Sequence, residues 1–195
     1  IENARLLHSG FECVIDATHP FAEIISSNLK TVCNELDQPL LRFERCVETI
    51  SEASLIQSPK DLLNFDLAGQ KILFAIGSRL LSEASECARR SGAKVFARVM
   101  PTVEGIRKAL ECQFPPEHLA IVRPIDGNSF GQIEKALCKQ WGITAIVARQ
   151  SGGITQELWQ NIALEFGIEL LLIARPKLAS DVCVANSFRE LIDKL

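Results

Sequence analysis

The sequence predicts an α/β protein whose parallel sheets are covered by helices on both faces. From residue 71 onward, short and almost wholly apolar segments alternate with longer segments whose apolar residues repeat at helical spacing. The apolar segments are KILFAI (71–76), KVFARV (94–99), LAIVR (119–123), ITAIVA (143–148) and IELLLIA (168–174). Gly92, Gly142 and Gly167 each stand just past a helical segment, where helices commonly end. This alternation is typical of a parallel sheet buried on both faces.

The N-terminal part of the chain contains the same kinds of element. FECVIDA (11–17) predicts a strand, because β-forming apolar residues run up to a turn signal. The apolar spacing over 21–36 predicts a helix, and Pro20 lies in its first turn, where a missing N–H group is harmless. LLRF (40–43) predicts the next strand.

The domain organisation follows from the first residues and from a change of pattern near residue 70. IENARLLHSG resembles the last turns of a helix ending at Gly10, so we expect an opening strand and turn to be missing before it. ERCVETISEASLIQ (44–57) has no clean period and predicts a connector with some strand character, and SPKD (58–61) predicts a capped short helix. We predict an incomplete N-terminal domain over 1–69 and a C-terminal domain over 70–195 that ends in a helix.

Residues that could bind a ligand are concentrated in the turns where the predicted strands end. In parallel sheets ligands bind at the carboxyl ends of the strands. The segments there are THP (18–20), GSR (77–79), MPT (100–102), RPIDGN (123–128), RQSGG (149–153) and RP (175–176). Ser78 could bind phosphate at a helix N-terminus, but an ordinary turn with Ser as the cap is the commoner arrangement.

Arginines are concentrated at the same strand ends. They are Arg42, Arg45, Arg79, Arg98, Arg123, Arg149 and Arg175. A single surface arginine usually only keeps a protein in solution, whereas several on one edge suit a polyanionic ligand. A guanidinium group binds carboxylate or phosphate through two parallel hydrogen bonds. The sequence therefore predicts a site for an acidic ligand.

Two residues of the first turn are candidates for proton transfer. His19 could donate a proton or hydrogen-bond a cofactor, or it could be a structural histidine at a helix start. Asp16 could also transfer a proton, although a carboxylate at a strand end more often accepts from N–H groups of the next turn.

Composition and charge exclude several classes of function. The net charge is −3 over 195 residues, which disfavours binding to nucleic acid or to an anionic membrane. No apolar run approaches the length of a membrane-spanning helix, and no secretory signal is visible. Tyrosine is absent, which excludes a catalytic Tyr-Lys pair.

Cysteine usage and residue spacing narrow the chemistry further. The seven cysteines form no Cys-x-x-Cys pair and mostly have apolar neighbours, so we predict a cytoplasmic protein without disulfides or zinc. No spacing predicts converging metal ligands, and no serine or cysteine nucleophile has a paired base nearby.

The order of the turn motifs carries a family resemblance. VIDATHPFA (14–22), followed by a helix and LLRFER, resembles the precorrin-6A reductases, NADPH-dependent enzymes of corrin-ring synthesis. The resemblance continues through ILFAIGSRLL, FARVMP and VARQSGGITQELWQNIALEFGIELLLIARP, in that family's order of motifs. It covers essentially residues 10 to 177.

The resemblance implies two Rossmann-like lobes, with a cleft between them that binds NADPH and a tetrapyrrole. The implied reaction reduces one double bond of precorrin-6A, or of its cobalt form, to give precorrin-6B. Hydride passes to one macrocycle carbon and a proton to its neighbour. Such chemistry needs two rings held together with water excluded, rather than a catalytic triad.

The resemblance also implies roles for individual residues. Matching positions assign cofactor binding to Thr18, His19, Pro20, Gly77, Ser78, Ser151 and Gly152. The arginines expected to bind substrate carboxylates are Arg42, Arg98, Arg149 and Arg175, of which Arg98 and Arg175 match family motifs and the other two come from the cluster at the strand ends. No metal ligand is expected, and His19 and Asp16 are the candidate proton donors.

Several positions depart from the family pattern. RPID (123–126) stands where the family favours Gly-Pro-Phe-Ser, ARQSG (148–152) where it favours Thr-Lys-Asp-Ser-Gly, and ITQE (154–157) replaces an expected glycine and lysine. Two alternatives therefore remain beside the reductase. One is a catalytically silent homologue that binds tetrapyrrole or nucleotide, and the other is a Rossmann-like module fused to or associated with other corrin-pathway enzymes.

Overall fold

The computed structural model describes residues 11–46, 53–123, 130–177 and 182–195. Its strands are β1 Val14–Asp16, β2 Leu40–Phe43, β3 Ala53–Ile56, β4 Lys71–Ala75, β5 Lys94–Val99, β6 Leu119–Ile121, β7 Ala145–Arg149, β8 Glu169–Ile173 and β9 Cys183–Ala185. Its α-helices are α1 Glu23–Glu35, α2 Ser78–Arg90, α3 Val103–Glu111, α4 Gln132–Trp141, α5 Ile154–Phe166 and α6 Phe188–Asp193. Short 3₁₀ helices cover Pro59–Asn64 and Pro116–His118.

The secondary structure confirms the elements predicted from apolar spacing. Each predicted strand and each predicted helix in the described ranges is present, with ends shifted by a few residues. The short helix after Ser58 carries the expected capping box, in which the Asp61 carboxylate accepts from the N–H group of Ser58 at 3.1 Å. The predicted helix end over 1–10 and the turn over 124–128 lie outside the described residues.

The chain folds into two compact units. The small unit comprises residues 1–48, 151–153 and 175–195, and the large unit comprises 49–150 and 154–174. The division into domains at residues 69–70 stays a prediction. The strand pairing crosses that position in both directions. β3 pairs with β8 of the large unit, and β9 pairs with β2 of the small unit, more than a hundred residues away in sequence.

The large unit contains a parallel six-stranded sheet in the order β3-β8-β7-β4-β5-β6. The central strands are buried on both faces, and Ile72, Phe74 and Ile146 are fully inaccessible to solvent. Helix α5 contributes Trp159 and Ile162 to the core on one face. Removing this apolar surface from water is the main force that holds the unit together. The parallel pairing brings the carboxyl ends of the strands to one edge.

The small unit contains a parallel three-stranded sheet in the order β1-β2-β9. Its compact core is built from Leu41, Ala185 and Leu191, with Cys13 and Phe43 packed against it. The fold is therefore α/β with two sheets in which every strand pair is parallel, as the sequence predicts.

Candidate functional site

The residues predicted to bind ligand lie at the carboxyl edges of two separate sheets. Those in the small unit are Thr18, His19, Pro20, Arg42, Ser151, Gly152 and Arg175. Those in the large unit are Gly77, Ser78, Arg98 and Arg149. Each group has its own local geometry.

The turn after β1 is held closed by its own side chains. The Asp16 carboxylate accepts from the N–H group of Thr18 at 3.0 Å, and the Thr18 hydroxyl lies 3.1 Å from that of Ser26 on α1. Nδ1 of His19 accepts from the N–H group of Phe21 at 3.2 Å. A neutral His19 therefore carries its proton on Nε2, which makes that atom a potential donor to a ligand.

Arg42 forms a buried ion pair with its cross-strand neighbour. Asp16 and Arg42 face each other on β1 and β2, each is 3% exposed, and the carboxylate oxygen lies 2.8 Å from Nη1. Arg42 also donates from Nε to Glu44 at 2.7 Å and from Nη2 to the carbonyl oxygen of Thr18 at 3.1 Å. This geometry favours a structural role for Arg42, because its donors are already bound within the protein, and its predicted contact with substrate stays a prediction.

Asp16 is held in its ionised form. Burial raises the pKa of Asp16, but hydrogen bonds from Ser26, Thr18 and Arg42 together outweigh burial and leave the pKa below its usual value. A carboxylate that stays ionised at neutral pH has no proton to deliver. The geometry thus favours the structural role of Asp16 over the proton transfer that the sequence also allowed.

Glu44 connects Arg42 to Arg175. One carboxylate oxygen lies 2.6 Å from Nη2 of Arg42, and the other accepts from Nη1 of Arg175 at 2.6 Å. Arg175 Nη1 also donates to the carbonyl oxygen of Arg45 at 2.8 Å. The four groups Asp16, Arg42, Glu44 and Arg175 form a chain of alternating charge. The positive charges of Arg42 and Arg175, which were predicted to bind substrate carboxylates, are therefore largely neutralised by carboxylates of the protein itself.

The Ser-Gly-Gly turn packs tightly against Arg45 and Arg175. Gly152 has a φ angle of +67°, a backbone region in which side chains are strained. A Cβ atom on Gly152 would lie 3.0 Å from the carbonyl oxygen of Cys46 and 3.1 Å from Nη2 of Arg175. Ser151, just before it, is buried. This close packing explains the glycine that the sequence has at position 152.

In the large unit, the turn after β4 has the features of an anion site. Gly77 is the N-cap of α2 at φ +77° without a side-chain cap, so the expectation that Ser78 caps the helix is wrong. The first turn of α2 carries no acidic residue. The Arg149 guanidinium packs over this turn, with Nη2 3.7 Å from where a Gly77 Cβ would stand. Helix N-termini and guanidinium groups both favour anions.

Arg149 and Arg79 lie close enough to influence each other. Burial lowers the pKa of Arg149, and the positive charge of Arg79 lowers it further. A guanidinium remains charged at neutral pH even so. Two like charges held near a helix N-terminus are stabilised when an anion binds between them.

Arg98 is paired with a buried glutamate. Its Nη2 lies 3.4 Å from Oε1 of Glu134, which is 2% exposed. Nε and Nη2 of Arg98 are buried and make no hydrogen bond within the described structure. Burial lowers the pKa of Arg98, and Glu134 opposes that change. Its predicted contact with substrate stays a prediction, since a substrate carboxylate would have to compete with Glu134.

Comparison with known proteins identifies the family. The family model described as precorrin-6x reductase CbiJ/CobK matches residues 3–195. The chain belongs to this family. The resemblance found in the turn motifs is therefore confirmed.

Relatives and a solved structure agree with this family. The chain is 31% identical over 186 residues to the cobalt-precorrin-6A reductase of Synechocystis, covering 90% of this chain and 69% of the relative. It is 26% identical over 198 residues to that of Priestia megaterium, covering 95% and 73%. A solved structure of CobK precorrin-6A reductase matches with a TM-score of 0.71 at 23% identity, covering 99% and 76%, and supports the fold.

Two acidic residues of this precorrin-6x reductase family member were missed by the sequence analysis. Glu44 directly follows the predicted strand 40–43, and Glu134 shares a helix face with buried Cys138 one turn later. An acidic residue on the buried face of a helix indicates a positively charged partner inside the protein, because an unpaired buried charge is costly. The apolar spacing around Glu134 already carried that indication in the sequence.

The described residues contain no group of three or more His, Cys, Asp or Glu side chains that could hold a metal ion. None of the helices in that part of the chain has the length and apolar character needed to cross a membrane. All seven cysteines are free thiols.

Proposed function

We propose that this protein reduces one double bond of precorrin-6A, or of its cobalt form, with NADPH as the hydride donor, and yields precorrin-6B. As a precorrin-6x reductase family member it is an oxidoreductase of cobalamin biosynthesis, which implies a reduced nicotinamide cofactor. The specific use of NADPH, a cytoplasmic location and an association or fusion with other corrin-pathway enzymes stay predictions.

The anion site at the start of α2 is the observation that supports NADPH most directly. Gly77 leaves the backbone N–H groups of the first turn without a side-chain cap, and that turn has no acid. Arg149, for which the sequence predicted a contact with substrate carboxylates, lies against Gly77, and Arg79 stands in the same turn. We assign Arg149 to the cofactor instead. The residues present fit a phosphate of the cofactor, because all three features attract negative charge.

The remaining work of the protein is positioning. NADPH supplies the hydride when it is bound. Arg149 and the α2 N-terminus would bind its phosphate. Nε2 of His19 can donate a hydrogen bond while Nδ1 accepts from Phe21, so this geometry supports His19 as a hydrogen-bond donor to a ligand. Proton transfer from His19 to the macrocycle stays a prediction.

The test is NADPH oxidation with precorrin-6A as substrate, measured by the loss of NADPH absorbance. Arg149→Met should weaken NADPH binding by about tenfold or more, because a charge-assisted hydrogen bond is lost. Arg107→Met is the matched control, since Arg107 is exposed on α3 of the same unit and pairs only with Glu111 one turn away in the described structure. It should leave NADPH binding unchanged.

Two outcomes would contradict the proposal. Macrocycle binding without any NADPH oxidation by the wild-type protein would favour the silent homologue. Equal NADPH affinity of the wild-type protein and Arg149→Met would show that the cofactor phosphate does not bind at the start of α2.

A further inference from the structure

An aromatic pair with one exposed ring lies at the carboxyl edge of the small sheet. The rings of Phe43 and Phe188 are stacked, with centroids 5.0 Å apart and planes inclined by 29°. Phe188 is 73% exposed although phenylalanine is usually buried. One face of its ring is thus supported by Phe43 while much of the side chain meets solvent.

The backbone that carries Phe188 is held in place by polar contacts. Phe188 is the first residue of α6, and the hydroxyl of Ser187 before it accepts from the N–H group of Glu190 at 3.1 Å. The Glu190 carboxylate accepts in return from the N–H group of Asn186 at 2.8 Å. These two hydrogen bonds fix the start of the helix. Leu191, one turn on, is buried in the core of the unit. The ring is therefore presented from a fixed position.

The pair lines a cleft of about 520 Å³ whose other walls suit a flat acidic ligand. The lining residues are Ala17, Thr18, Pro20, Phe43, Arg45 and Phe188. Arg45 is exposed, and its guanidinium makes no ion pair or hydrogen bond with the described residues. Arg42 and Arg175, by contrast, are bound by Asp16 and Glu44. Arg45 is thus the cation in this cleft that can take up a ligand carboxylate.

We propose that Phe188, supported by Phe43, stacks against the flat conjugated ring of the tetrapyrrole substrate, and that Arg45 binds one carboxylate of that ring. The proposal rests on the proposed function, because it takes a carboxylate-fringed macrocycle as the ligand. An exposed aromatic face next to a guanidinium offers both apolar contact and a charge-assisted hydrogen bond.

Charge favours the macrocycle over the phosphates of the cofactor at this cleft. Helix α1, which follows the turn at 18–20, has Glu23 in its first turn and no side-chain cap bond. An acid there disfavours a diphosphate, whereas α2 in the large unit has no acid in its first turn. One guanidinium beside an apolar shelf suits a ring with separate carboxylates.

The test uses uroporphyrin, a stable flat macrocycle fringed by acetate and propionate groups, and measures its binding by fluorescence. Phe188→Ala should weaken uroporphyrin binding by roughly tenfold, and Arg45→Gln by a similar factor. Phe188→Leu keeps an apolar side chain, so its loss of uroporphyrin binding free energy should be roughly half of the loss in Phe188→Ala. NADPH binding should change by less than about twofold in all three variants.

Ile192→Ala is the matched control. Ile192 is 70% exposed on the same helix and does not line the cleft, so its loss should leave uroporphyrin binding unchanged. Phe188 is an exposed residue, so its replacement should leave the fold intact, which circular dichroism would verify.

The outcomes separate this proposal from the proposed function. Unchanged uroporphyrin binding in Phe188→Ala, a loss of NADPH binding equal to the loss of uroporphyrin binding, or no uroporphyrin binding by the wild-type protein would each overturn the stacking site. Uroporphyrin binding that depends on Phe188 would support the stacking site even if the wild-type protein does not oxidise NADPH with precorrin-6A. That absence of oxidation would contradict the reductase activity alone.

Discussion

The carboxylate of Glu44 lies 2.6 Å from the guanidinium of Arg175, although 131 residues separate them in the sequence. Glu44 is 3% exposed, so this contact joins two distant parts of the chain inside the small unit. Because Glu44 also binds Arg42, its loss leaves two guanidinium groups without their shared partner. A buried ion pair is costly to break from one side, since an uncompensated charge remains.

Glu44→Gln is expected to destabilise the small unit by about 3–5 kcal/mol. Glutamine keeps the shape of the side chain but removes the charge that compensates Arg42 and Arg175. Both tryptophans, Trp141 and Trp159, belong to the large unit, so their fluorescence does not report this change directly. Amide hydrogen exchange of peptides from residues 11–46 is the appropriate measurement.

Glu35→Gln is the matched control for that variant. Glu35 is exposed at the end of α1 and should change stability by less than about 0.5 kcal/mol. If exchange in Glu44→Gln is no faster than in Glu35→Gln, then the link between Arg42 and Arg175 does not stabilise the unit.

The sequence was sufficient to locate elements and turns, because apolar spacing and capping residues act locally. The helix over 154–166 and the capped turn at Ser58 are examples, since each is encoded within a few neighbouring residues. The pairing of β9 with β2 is not encoded locally, and the strand 183–185 is too short to give a periodic signal.

The roles of the arginines depended on such distant pairing. Arg42 was predicted at a sheet edge, but its register opposite Asp16 makes it an internal partner. Arg98 likewise meets Glu134, which the sequence places 36 positions later. Charge type and strand position could be predicted from the sequence, whereas the internal partners required the register and the helix packing.

Gly152→Ala should be more destabilising than Gly69→Ala. Both glycines have positive φ angles, +67° and +74°, so each substitution introduces backbone strain of roughly 1–2 kcal/mol. A Cβ atom at Gly152 also meets the Cys46 carbonyl oxygen at 3.0 Å, while nothing lies within 4 Å at Gly69. This crowding should add about 1–3 kcal/mol. Urea unfolding followed by circular dichroism measures both, and equal losses would contradict the packing of the Ser-Gly-Gly turn.

Glu134→Gln should destabilise the large unit by about 3 kcal/mol, because the buried Arg98 loses its compensating charge. The double variant Arg98→Met with Glu134→Leu removes both charges and should recover much of that loss. Trp141 on α4 stacks on Phe96 at 5.1 Å, so tryptophan fluorescence during urea unfolding reports this region. A double variant less stable than Glu134→Gln would contradict the ion pair.

The thiols should differ sharply in their reaction with iodoacetamide. Burial raises the pKa of Cys138 to about 12, with a further contribution from Glu134, and only the thiolate reacts. Cys46 and Cys183 are exposed and should be alkylated first in the folded protein at neutral pH. Mass spectrometry of the labelled peptides measures the order. Early labelling of Cys138 would show that α4 opens readily.

The stability of the small unit should fall in acid because of Asp16. Hydrogen bonds and Arg42 hold the folded-state pKa of Asp16 below its usual value even though burial raises it. Its contribution is therefore fully present above the unfolded-state pKa, about 3.9, and is lost as the pH falls through the lower folded-state pKa. At neutral pH, Asp16→Asn should cost about 3 kcal/mol.

The decisive comparison is the pH dependence of that cost. As the pH falls from the ordinary aspartate pKa through the lower folded-state pKa, the wild-type carboxyl group becomes protonated, first in the unfolded and then in the folded protein. The difference in unfolding free energy between wild type and Asp16→Asn should therefore shrink. Asp193→Asn, at an exposed position that forms no ion pair with the described residues, should match wild type at every pH. Urea unfolding followed by circular dichroism across a pH series measures all three proteins. A cost for Asp16→Asn that stays constant into strong acid would mean that the Asp16–Arg42 pair does not couple folding to protonation.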